Sequence, residues 1–71
     1  MRGLFLRSID RKEKIVIFYM DRNHQVTQRY IRVISIQDQS LVAYCYWRKK
    51  LRTFKLDNIL SAGSLQKKVG A

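Results

Sequence analysis

The sequence predicts a single, mainly β domain: one short N-terminal helix, then four to five short strands in a sheet that bends strongly or closes. Three observations predict it. The chain is 71 residues long, which is one small domain. Its β-branched and aromatic residues gather in short runs separated by polar, turn-forming clusters. Hydrophobic residues make up 46% of the chain, with no proline and 3 glycines, which excludes a disordered, collagen-like or linker-like chain.

Gly3 to Asp10 reads as the helix, because Phe5 and Ile9 are four apart and Leu6 adjoins them on the same flank. The charged run Asp10-Arg11-Lys12-Glu13-Lys14 is its exposed end. Lys14 to Met20 is the first strand, continuously apolar after Lys14 as a strand covered on both sides would be. Ile15, Ile17 and Tyr19 share one face and Val16, Phe18 and Met20 the other, with Phe18 and Phe54 assigned to the core. Asp21-Arg22-Asn23-His24 is a turn in which Asn23 can take the left-handed conformation. Val26 to Ile36 is a long second strand, followed by the turn Gln37-Asp38-Gln39-Ser40.

Leu41 to Trp47 is the third strand, with Val42, Tyr44 and Tyr46 opposite Leu41, Ala43, Cys45 and Trp47. Arg48-Lys49-Lys50 forms a basic hairpin loop, and Leu51 to Leu56 is the fourth strand, with Arg52, Phe54 and Leu56 on one side. Asp57-Asn58 starts a helical turn, Ile59 to Leu65 is a final strand, and residues 66–71 are a frayed basic tail. So few strands bury enough apolar surface only when the sheet curls or closes, so a small SH3-like or Sm-like β-barrel is the economical solution.

Lys and Arg number 15 against 5 Asp and Glu, a net charge of +10. Self-repulsion of that density would be relieved by a partner of negative charge. Cys45 is the single cysteine, so no internal disulfide forms and a reducing, cytoplasmic location is expected. One Cys and one His cannot make a zinc cluster, and no cofactor is expected. No stretch approaches the ~20 apolar residues of a membrane span. No glycine-rich phosphate loop, nucleophile–base pattern or carboxylate pair is present, so an enzyme is not expected. His24 reads as a solvated turn residue, Cys45 as a small buried apolar residue and Asp57 as a cap.

Ser40-Leu41-Val42-Ala43-Tyr44-Cys45, followed by Arg52-Thr53-Phe54-Lys55-Leu56-Asp57-Asn58-Ile59, resembles the central signature of the WYL domain. In that family an aromatic-and-leucine strand runs into "lvAyC", and a short loop leads to "R-x-F-x-l-D-R-I". Ile17-Phe18-Tyr19 is similar to the family's first strand, Arg29-Tyr30-Ile31-Arg32-Val33 to its "R-x-v-x-P" strand, and Leu4 to Ile9 to the preceding short helix. The resemblance spans residues 3–65. It implies an Sm-like, SH3-type barrel of bacterial origin that acts as a sensor module in transcriptional regulation. Such modules usually sit behind a helix-turn-helix domain and bind nucleic-acid ligands such as single-stranded DNA or oligonucleotides. The chain departs from the pattern at Gln39 and Ser40, where the family has Trp-Tyr, at Val33 for its proline and at Asn58 for its second arginine.

Arg29 and Arg52 hold signature positions by this resemblance, and Arg48 lies in the basic loop between strands three and four. A guanidinium grips phosphate through two parallel hydrogen bonds. Lys49, Lys50 and Lys55 would add general attraction, and Tyr44 could stack a base. Tyr30, Tyr46 and Trp47 interleave with the same charges, although Tyr44 and Trp47 fall on opposite faces of an unbent strand. The expected partner is single-stranded nucleic acid or a nucleotide-type anion. The alternative is a protein-interaction or oligomerisation accessory, pairing with a second copy or a regulator protein through exposed strand edges.

Overall fold

A computed structural model describes residues 1–65; the basic tail assigned to residues 66–71 lies outside the described residues. The elements run α1 (Arg2–Arg11), β1 (Ile15–Met20), β2 (Val26–Ile36), β3 (Ser40–Cys45), β4 (Lys50–Lys55), a 3-10 turn (Leu56–Asn58) and β5 (Ile59–Ser64). All neighbouring strands are antiparallel, in the order β4-β3-β2-β1-β5.

One face of this sheet holds the core. Ile15 and Ile17 of β1, Ile31 and Val33 of β2, Leu41, Ala43 and Cys45 of β3, Phe54 of β4 and Ile59 of β5 are buried on it, and Phe5 of α1 joins them. The other face is more open. β1 alternates between buried and more exposed positions rather than being covered on both sides, and Phe18 stands on the open face at 39% exposure. Its expected place in the core is therefore corrected. A continuous apolar run cannot distinguish a doubly covered strand from one whose second face is merely apolar.

The sheet curls but does not close. β4 and β5 are both edges, so the barrel expected from strand number is corrected to an open sheet. Side chains and the 3-10 turn span the gap instead of a ladder. The Lys55 N–H donates to Tyr19 Oη at 3.2 Å, and the Tyr19 and Phe54 rings meet edge to face at 5.1 Å. The Leu56 N–H donates to the Gln39 carbonyl at 3.0 Å, which seats the crossing turn.

Helix α1 is pinned through Ser8, a fully buried residue three positions beyond Phe5. The Val33 N–H donates to Ser8 Oγ at 3.0 Å, and that hydroxyl donates to the Glu13 carbonyl at 2.7 Å. Leu6, expected on the apolar flank, is 50% exposed, because Phe5, Ser8 and Ile9 form the inward stripe. The helix ends at Lys12 in the left-handed conformation, φ 55°.

Two turns differ from expectation. Asp21 Oδ1 accepts from the N–H groups of Asn23 at 2.8 Å and Gln25 at 3.0 Å, and His24, not Asn23, takes the positive φ of 62°. β3 stops at Cys45, two residues before Trp47. Residues 46–49 form the turn, closed by the Lys49 N–H on the Cys45 carbonyl at 2.6 Å, and Lys50 already belongs to β4.

Candidate functional site

Cross-strand register decides which charges share a wall. Arg29 pairs across the ladder with Ile17 and Arg52 with Ala43, both core residues, so the two arginines stand on the inner face, where the core runs out. Both line a groove of about 460 Å³ together with Tyr19, Arg22, Lys55 and Asn58. Asp21 lines it too, but its Oδ1 is engaged by the turn it caps. Among the described residues the one ion pair is Arg7 with Glu13 at 3.4 Å, so neither groove arginine is neutralised by a carboxylate of the described chain.

Arg29 is held in place on three sides. Its Nε donates to Thr27 Oγ1 at 3.1 Å. Its Cζ lies 6.0 Å from the Tyr19 ring centroid and 5.8 Å from that of Trp47. Arg48 reaches the same indole, with Cζ 4.9 Å from its centroid. Trp47 thus joins the loop arginine to the groove arginine through its ring. This arrangement exists because the chain turns at Tyr46; a third strand carried on to Trp47 would not present the indole from a turn.

The structure therefore brings Arg29, Arg48 and Arg52 to one region. Lys50 faces Cys45 across the ladder, which gives it an inner-face position at the start of β4, but it is exposed and does not line the groove. Tyr44 is separate from the arginines. Its neighbours Ala43 and Cys45 are buried, so its ring stands on the open face, edge to face with Tyr46 at 5.0 Å. Lys14 Nζ lies 4.6 Å from the Tyr46 centroid and completes that second, smaller cluster.

Sequence reasoning leaves Tyr19 and Arg22 out of the site and gives Lys55 only a general attraction. Their alternation and loop positions were legible, but only the curl that carries β4 toward β1 places them beside Arg52. Among the described residues no group of three or more His, Cys, Asp and Glu is placed to hold a metal ion, and no helix is long and apolar enough to cross a membrane.

No protein-family model matches the chain, and no curated protein matches it. Among solved structures it is similar to proteasome accessory factor B/C (PafBC) of Arthrobacter aurescens, with a TM-score of 0.78 at 20% identity, covering 93% of this chain and 11% of that one. The chain thus spans about a ninth of that protein's length, and the likeness is one of fold.

Proposed function

We propose that this domain binds single-stranded nucleic acid or a nucleotide-type anion through the arginine groove, as a sensor-type module of bacterial transcriptional regulation in the cytoplasm. The observation that carries the reading is the gathering of Arg29, Arg48 and Arg52 around Trp47 and Tyr19 without a carboxylate partner among the described residues. Like charges are drawn together here at a cost that a bound phosphate would offset. Resemblance to the WYL signature at Arg29 and Arg52 supports the same reading, as does a fold shared with a segment of PafBC.

The test is a titration of the protein with short single-stranded DNA and RNA, followed by amide NMR shifts. Perturbations should gather at the groove and the 46–49 turn. The double variant R29A/R52A should lose binding and keep its fold, because both side chains are only half-buried and Arg29's one hydrogen bond is to an adjacent threonine. Unaltered affinity in the double variant, or shifts spread evenly over every lysine, would remove the groove from the reading.

A further inference from the structure

Trp47 is the sole tryptophan of the chain and is 72% exposed, the most exposed large apolar side chain among the described residues. Leaving an indole in water forgoes a large gain from burial. Its turn is also formed at a cost, since Lys49 takes a φ of 58° that a residue with a Cβ adopts reluctantly. Two guanidinium groups lie near the ring, from β2 and from the turn itself, yet the ring remains mostly uncovered. They restrain its position without hiding its surface.

Such a ring, flanked by unneutralised cations, suits a ligand that alternates flat π-faces with negative charge. A plain polyanion uses only the cations. A duplex hides its π-faces inside the stack. A single strand offers both, an unpaired base for the indole and adjacent phosphates for the guanidinium groups.

We infer that Trp47 is a base-stacking platform, so that the arginine groove selects strands with unpaired bases over other polyanions. This inference rests on the proposed function and adds the group that reads the base. Trp47 itself contacts the ligand, while Arg29 and Arg48 both position the ring and meet the phosphates.

The experiment uses three probes: an oligo-deoxythymidine about twelve nucleotides long, within the usual range of single-strand site sizes, an abasic strand of equal length, and inorganic polyphosphate. Trp47 reports directly through its fluorescence, with no second tryptophan to obscure it. Oligo-deoxythymidine should quench the emission and the two baseless probes should not. W47A, read by anisotropy of labelled strands, should weaken oligo-deoxythymidine binding on the order of 10- to 100-fold and abasic-strand binding far less, the latter only through looser restraint of Arg29 and Arg48. W47F should recover part of the loss. R29A/R52A should lose both strands. Equal affinity for the two strands, or an unaltered affinity in W47A, overturns the stacking role and leaves the arginine groove standing. Absence of binding to either strand overturns the groove as well.

Discussion

Ser8 shows how one hydroxyl can carry a junction between elements. It is fully buried, accepts from the Val33 N–H and donates to the Glu13 carbonyl, so it ties α1 to β2 and to the chain that leads into β1. Removing it strands a buried donor, which costs about 1–3 kcal/mol. S8A should therefore lower the free energy of unfolding by that amount in a urea titration, with an unaltered slope against denaturant. A loss below a few tenths of a kcal/mol would show that the hydroxyl is dispensable. Phe5 and Ile9 were legible as inward-facing from their spacing, but the serine between them carries no apolar signal and its role appears only once β2 is packed against the helix. Phe18 errs the other way: its hydrophobicity is plain in the sequence, yet its place on the open face depends on how few elements cover the sheet. Arg29 and Arg52 stand out in the sequence as candidates and the structure puts them in one groove, whereas the sequence places Trp47 on a strand it does not occupy.

At the scale of elements, the β3–β4 connection decides what the domain presents. Runs of β-branched and aromatic residues mark β1, β2 and β3, alternation marks β4, and β1 and β2 end close to where the pattern changes. The sequence extends the third strand to Trp47 because Tyr46 and Trp47 have high β-propensity, but propensity yields to a backbone turn closed on Cys45. That turn is held at Lys49 against the preference of its residue type. K49G should relieve the left-handed strain and raise stability by up to about 1 kcal/mol, less the added chain entropy of glycine, while keeping the Trp47 emission spectrum. A drop in the thermal midpoint of K49G would mean that the lysine side chain contributes more to the turn than its backbone costs. Barrel closure was likewise beyond the pattern: strand count suggests it, but the 3-10 turn and the Tyr19–Phe54 contact bridge β4 to β1 without a fifth, closing ladder.

For the whole molecule, charge number and charge placement make different predictions. The net charge of +10 was legible from composition alone and would by itself give a diffuse polycation. Placement narrows this, because the register of β1–β2 and β3–β4 puts Arg29 and Arg52 on one wall and the turn adds Arg48. Binding of a single strand releases counterions at about 0.7 per phosphate neutralised. Three arginine contacts therefore predict a slope of about −2 for log K against log salt. A contact spread over all the net charge predicts a slope of about −7. Titration of oligo-deoxythymidine across a range of sodium chloride concentrations separates the two. The shallow slope should become shallower still in R52A, by about 0.7, while a lysine distant from the groove such as Lys12 should leave it unchanged on substitution by alanine. A steep slope equally reduced by K12A and R52A would show that the strand samples the whole basic surface, and that gathering the guanidinium groups on one wall confers no preferred seat.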